Sequence, residues 1–289
     1  MRTRLGIVLD ARKKCWLHTY PWFHTEKRVG QSYNNPTRQV QTSACAGAYM
    51  DPVAAYDRIA PVFARLAEQR KPYLDRIDRL ILSAIPPGSH SLLDVGSGDG
   101  ARARHIAQAR GIAELVLLEP SRAMQGNSLA DATIWTMRAE ELHSIQAEFD
   151  LITCLWNVLG HIFPASARIE VLRQFARLLS PKGRIFIDVN HRYNARHYGS
   201  LQTAVRFLRD HVSWDEKNGD VVVTWDVDSE KCATRGHVFT NKEFRSLARA
   251  AGLHIEKTFI VDYATGELRR WGWQGNLLYV LRPASAETV

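Results

Sequence analysis

A short apolar run that flows into three glycines at alternate positions, Leu92-Leu93-Asp94-Val95-Gly96-Ser97-Gly98-Asp99-Gly100, constrains this chain more than any other stretch. Glycine permits a tight turn and lets a ligand lie against bare backbone. The helix expected next, Ala101 to Arg110, would present free N–H groups at its start. The pattern then repeats as strand and helix in alternation. Leu115 to Leu118, Thr133 to Met137, Phe149 to Leu155 and Arg184 to Val189 read as further strands. Between them Ser121 to Leu129 and Pro164 to Leu179 read as helices, the second stopped by Ser180-Pro181-Lys182-Gly183. Near-continuous apolar strands separated by helices imply an α/β architecture with a parallel, doubly wound sheet.

Flanking segments differ. Over residues 53–84 apolar positions recur near the helical period, from Ile59, Val62 and Phe63 to Ile77 and Ile81, with Pro61 and Pro72 dividing the run. Beyond the fifth strand, Val221 to Val227 alternates and turns back into Lys231 to Phe239 as an antiparallel hairpin. Asn241 to Ala251 reads as a helix, with Asn241 as N-cap and Gly252 past its end. Leu253 to Val261 and Asn276 to Leu281 are the last strands. Residues 1–49 show no periodicity and read as a disordered extension; the ordered pattern starts just after Met50, a candidate start. Residues 50–289 form one domain, in which 190–240 is an insertion expected to cover the substrate site.

Net charge is +8 over 289 residues, but residues 1–49 hold +6 of it, so the expected globular part has no broad basic footprint for nucleic acid. No apolar stretch is long enough for a bilayer, and a cytoplasmic location is the default expectation. The four cysteines lie far apart without zinc spacing, so no metal site is expected.

Glu119 stands nineteen residues after Gly100, at the end of the next strand. An acid at that place accepts hydrogen bonds from ribose hydroxyls in nucleotide-binding sheets. The glycine spacing departs from the G-x-G-x-x-G of nicotinamide enzymes, because the third glycine comes one residue early.

With these features in register, the chain resembles class I S-adenosylmethionine-dependent methyltransferases of the small-molecule type, and distantly the glycine N-methyltransferases. LLDVGSGDG looks like their first motif and LVLLEPSRAM like their strand-two motif. FDLITCLWNVLGHI is similar to the fourth motif and LLSPKGRIFIDVN to the fifth-strand region. The resemblance implies a Rossmann-like, seven-stranded sheet whose last strand is antiparallel, an N-terminal helical lid, and S-adenosyl-L-methionine as cofactor. It implies that Asp94, Gly96, Ser97 and Gly98 line the methionine end, and that Glu119 holds the ribose. Pro120 and Met124 would neighbour the adenosine, Ala139 and Glu140 its adenine edge, and Leu155 would complete the cofactor wall. Many relatives carry Asp where this chain has Arg138, so a carboxylate contact to the adenine amino group is not expected.

Methyl transfer from a sulfonium asks the protein mainly for alignment, exclusion of water and removal of a proton. Loops after the fourth and fifth strands supply the candidates. His161 and His191 are candidate general bases. Trp156, Asn157, Arg192 and Tyr193 are candidate substrate contacts, with Arg192 or Arg196 able to pair with a substrate carboxylate. Tyr56 and Arg65 are candidate lid contacts. Trp225 reads as packing, and 269–275 as a rim loop. The reading is methyl transfer to an N or O atom of a small metabolite. Its alternatives are an RNA or protein methyltransferase and a non-catalytic cofactor-binding protein.

Overall fold

The computed structural model describes residues 32–34, 49–125, 131–227 and 230–284. Strand β1 (Ser32–Asn34) is followed by α1 (Pro52–Ile59), a 3-10 turn, α2 (Phe63–Gln69) and α3 (Lys71–Ala84). The breaks fall at the prolines, which open α1 and α3 where a missing N–H costs nothing. Then come β2 (Ser91–Val95), α4 (Ala101–Arg110), β3 (Glu114–Leu118), β4 (Thr133–Trp135), β5 (Phe149–Cys154), α5 (Ala165–Leu178) and β6 (Leu179–Val189). The insertion contributes α6 (Ala195–Tyr198), α7 (Ser200–Val212), β7 (Asp220–Val227) and β8 (Glu230–His237). The chain continues through α8 (Asn241–Ala250), β9 (Leu253–Val261), β10 (Leu268–Arg269) and β11 (Asn276–Pro283).

The main sheet runs β10-β9-β11-β6-β5-β2-β3-β4. Strands β4, β3, β2, β5 and β6 are mutually parallel, and β11 lies antiparallel between β6 and β9. There are eight strands rather than the expected seven, because Leu268–Arg269 adds a two-residue edge to β9. Chain order reverses direction between β2 and β5, so a crevice opens at their carboxyl ends. The apolar strands bury both faces. Leu93, Val95, Ile152 and Ile187 pack towards Phe175 and Phe244 on one side; Leu92, Leu151 and Phe186 pack towards Ile77, Ile81 and Ile106 on the other. A third core joins the N-terminal helices to the hairpin through Ala55, Ile59, Val223, Trp225 and Val238.

Three local expectations change. Ser121–Gln125 form a turn rather than a helix, and 126–130 lie outside the described residues. Side chains compete for the backbone here: Glu119 accepts the Ser121 N–H, and the Ser121 hydroxyl accepts from Met124 N. The N-cap of α8 is Thr240, not Asn241, through a capping box with Glu243; Asn241 Oδ1 accepts instead from the Tyr279 hydroxyl. Helices α6 and α7 were not among the expected elements; α7 is amphipathic, but its buried side chains are the polar Thr203, Arg206 and Asp210. The reading of 1–49 as a disordered extension falls outside the described residues, except that Ser32–Asn34 pair with Val222–Thr224 and Tyr49 and Met50 are placed.

A buried ionic network ties the insertion to the sheet. The fully buried Arg192 donates to Asp210 at 2.9 Å and to Glu243 at 2.7 Å. His237 lies between Glu243 at 2.6 Å and Asp220 at 2.8 Å. Among the described residues no helix is long and apolar enough to cross a membrane, and no cluster of His, Cys, Asp and Glu is arranged to hold a metal.

Removing Arg192 leaves two buried carboxylates without their cation. Arg192→Met is expected to lower unfolding stability in urea by about 3–5 kcal/mol. Arg173→Ala, which breaks an exposed pair with Glu170, should change it by less than about 1 kcal/mol.

Candidate active site

The glycine loop is built from backbone. Gly96 N and Ser97 N both donate to Leu118 O, locking the loop onto the end of β3. Gly96 and Gly98 have φ of 70° and 58°, the left-handed region that side chains avoid, and a Cβ on Gly96 would meet Val158 at 2.5 Å. The loop therefore presents bare backbone to the crevice. Glu119 closes the other side. Its Oε2 accepts from Gly98 N at 2.9 Å and its Oε1 from Ser121 N at 2.9 Å. Burial pushes its carboxyl up to about 7, against the pull of these two N–H donors.

A cleft lies over this loop. Gly96, Gly98, Glu119, Pro120, Met124, Ala139, Glu140 and Leu155 line it. Asp94 and Ser97 do not. Asp94 is buried beneath, accepting from the Thr153 hydroxyl at 2.6 Å, and burial raises its carboxyl to about 6. Ser97 Oγ is buried without a hydrogen-bond partner among the described residues.

Helix α1 lies across the cleft as a cover, contributing Pro52, Val53 and Tyr56; Phe63 follows from α2. Two contacts latch it: Asp57 accepts from the Ser121 hydroxyl at 2.5 Å, and Asp51 pairs with Arg138 at 2.6 Å. Arg138 thus stands on the cleft wall with its guanidinium turned to the cover, and no carboxylate replaces it there.

The loop after β5 holds two consecutive residues in left-handed conformation, Trp156 (φ 57°) and Asn157 (φ 63°). Strain of this kind persists only where the surroundings enforce it. Asp188 accepts the Trp156 N–H, Asn157 Oδ1 accepts from Asn190 N at 3.0 Å, and Asn157 Nδ2 donates to His237 O at 3.2 Å. Asn157 is therefore buried structure that aims Trp156. The Trp156 ring packs on Phe63 and donates Nε1–H to the Tyr263 hydroxyl at 3.2 Å.

A second, smaller compartment adjoins the first. Tyr56, Phe63 and Trp156 line both, and Trp225, Tyr263, Gln69 and Arg70 line the second alone. No carboxylate is among its lining residues. At the junction the Tyr56 hydroxyl lies 3.2 Å from His161 Nε2. His161 Nδ1 faces the Arg235 carbonyl at 2.9 Å; a carbonyl only accepts, so Nδ1 carries the hydrogen and Nε2 is free to accept from Tyr56. Desolvation holds the imidazole pKa below its ordinary value, and burial pushes the Tyr56 phenol up.

The remaining expected residues sit elsewhere. His191 is buried with Nδ1 on the Gly272 carbonyl at 2.8 Å, its pKa lowered to about 4 by burial. Arg192 belongs to the ionic network, and the Tyr193 hydroxyl donates to Asp210 at 2.6 Å. Neither these nor Asn157 line either compartment, because the polar run after β6 turns inward to anchor the insertion. Arg196 pairs with Asp262. Trp225 packs in the third core and also faces the second compartment. Phe63 and Tyr263 went unnoticed as site residues. Phe63 was one of many apolar positions in a helical run, and Tyr263 reaches the cleft from the turn after β9 with no local motif.

The cleft suits an adenosyl sulfonium: a cradle of bare glycine backbone faces a buried carboxylate with acceptor capacity to spare. The chain matches the family model described as a methyltransferase domain over residues 64–258. No curated protein matches its sequence. Solved structures share its fold at low identity. The CcbJ methyltransferase from Streptomyces caelestis is 15% identical, with 82% of this chain and 100% of that one covered at a TM-score of 0.63. DesVI from Streptomyces venezuelae is 18% identical, covering 78% and 98% at 0.54. The sugar N-methyltransferase KedS8 from Streptoalloteichus sp ATCC 53650 is 18% identical, covering 85% and 98% at 0.52. The match spans most of the chain and includes the glycine loop, Glu119 and the loop after β5: this protein belongs to the methyltransferase-domain family and is a class I methyltransferase that uses S-adenosylmethionine.

Proposed function

We propose that the protein methylates an amine nitrogen of a small molecule held in the second compartment. The observation that carries this reading is the junction: two adjoining cavities share Tyr56, Phe63 and Trp156, and the junction's Tyr56–His161 hydrogen bond leads away from it. The first compartment suits the cofactor, with Gly96, Gly98, Pro120, Met124, Ala139, Glu140 and Leu155 around it and Glu119 as ribose acceptor. The second is walled by the rings of Tyr56, Phe63, Trp156 and Tyr263 and by Trp225 of the hairpin. An acceptor nitrogen must be uncharged to attack. A lining without carboxylates, and with Arg70 present, disfavours its protonated form. KedS8, which shares the fold, acts on a sugar nitrogen by its description.

Bound S-adenosylmethionine supplies an already activated methyl group. The chain's residues then orient, exclude water and carry off one proton. Aromatic walls and the α1 cover exclude water. Tyr56 accepts the proton lost by the acceptor nitrogen as it passes its own to His161 Nε2, and the Arg235 carbonyl stabilises the resulting imidazolium through Nδ1–H.

A panel of amino sugars and other small amines, assayed for S-adenosylhomocysteine release with mass location of the new methyl, tests the reading. Methyl on nitrogen is expected. Full cofactor affinity with no amine methylated would overturn it. Tyr56→Phe and His161→Ala should each lower kcat by roughly 10²-fold while leaving cofactor affinity within about twofold. An unchanged kcat would return the pair to a structural role.

Glu119 gives an independent signature. The carboxylate form accepts ribose hydroxyls and the acid form does so poorly, so binding favours proton release. With the carboxyl at about 7, calorimetric affinity for S-adenosylhomocysteine should be full above pH 7 and weaken about tenfold per pH unit below it. Glu119→Gln should bind more weakly and without this dependence.

A further inference from the structure

Helix α7 is amphipathic in the reverse sense. Its buried side chains are polar, Thr203, Arg206 and Asp210. Its solvent face carries Leu201, Val205, Leu208 and Val212, which are 81%, 58%, 60% and 85% exposed. A helix on a protein surface ordinarily turns such a stripe inward. Here the inward face is fixed by chemistry. Asp210 accepts from Arg192 and from the Tyr193 hydroxyl. Arg206 donates to Arg192 O and lies 4.3 Å over the Tyr198 ring. Rotating α7 to hide its leucines and valines would strip Arg192 of a carboxylate inside the protein, which is far more costly than exposing the stripe.

We propose that α7 packs against α7 of a second copy of this chain in a two-fold dimer. The four residues are spaced four, three and four apart, the seam by which helices pair side by side. A seam of like residues is self-complementary under a two-fold axis, so a copy of the same chain satisfies it without a separate partner surface. Phe207 and Trp214, about half exposed, lie beside it. Together these side chains present on the order of 700 Å² of apolar surface, more than the largest patch of most monomers and close to the ~800 Å² each partner contributes to a stable interface. The neighbouring exposed positions Gln202 and Ala204 are uncharged, and the partly exposed Arg209 on the same flank is turned to the Asn218 carbonyl. A membrane surface fits less well, since such helices line their polar edge with basic side chains, whereas Arg206 is buried and Arg209 is turned to the Asn218 carbonyl.

Sedimentation velocity of the full chain at micromolar concentration tests this directly. The wild type is expected to sediment as a dimer. The Leu201→Gln/Val212→Gln variant is expected to sediment as a monomer, with its dimer dissociation constant raised at least tenfold. Both side chains touch little of their own chain, so the far-ultraviolet circular dichroism should be unchanged, while the thermal midpoint should fall to that of the dissociated monomer. A monomeric wild type, with the stripe covered by another segment or another partner, would overturn the proposal. So would a dimer that the substitutions leave intact. Should the variant misfold, the wild-type mass together with cross-linking of a single Val205→Cys chain decides: the expected inter-chain product supports the pairing, and a wild-type dimer lacking it overturns the assignment to α7.

Discussion

The carboxylate of Glu119 is the point on which the active-site half of the molecule turns. It sits at the end of β3, yet it binds the backbone of the glycine loop after β2 and the turn that follows itself. Two strands' ends are thereby fixed relative to each other by a single side chain. That turn carries Ser121, whose hydroxyl holds Asp57 of the cover. Sheet, glycine loop and cover are thus linked in series through one buried acid. Such a group is poorly solvated, which is why its pKa rises even with two N–H donors upon it.

A second buried ion system performs the corresponding task for the insertion. Arg192 binds Asp210 of α7 and Glu243 of α8, and His237 of the hairpin joins Glu243 to Asp220. These contacts hold the hairpin where Trp225 can face the second compartment. Ionic pairs inside a protein add little net stability compared with apolar packing, but they are unforgiving about geometry. That property suits an insertion whose task is to place a wall accurately. It also explains the unusual exterior of α7, whose inward positions are committed to charge.

The sheet was legible because its central parallel strands β2, β3, β5 and β6 are largely apolar and buried, whereas the edge strand β4 is only partly so. β2 and α4 match their expected bounds, and β3, β5 and α5 match within a residue. The cofactor half of the site was legible for a related reason: it is made of consecutive residues at strand ends, so sequence spacing reports spatial spacing. The second compartment was legible only in part: Trp156 and Tyr56 stood among the candidates, and Phe63 and Tyr263 did not. Tyr56, Phe63, Trp156, Trp225 and Tyr263 come from five separate elements and meet only in the folded chain. Conversely, the polar run His191-Arg192-Tyr193 looked like a ligand site because polar groups at strand ends usually are. Composition cannot distinguish polar groups that face a ligand from polar groups that face each other.

The two halves of the site therefore differ in how they are specified. The cofactor half depends on backbone: φ angles only glycine tolerates, and N–H groups that any sequence would supply. The acceptor half depends on side chains borrowed from α1, α2, the loop after β5, the hairpin and the turn after β9. Substitution at Trp225 or Tyr263, which line the second compartment alone, would reshape it without touching Glu119 or the glycine loop, whereas Phe63 also lies against Gly98. The glycine loop and Glu119 thus fix one cavity through backbone and a single acid, while the rings that close over the junction at Tyr56 and His161 fix the shape of the other.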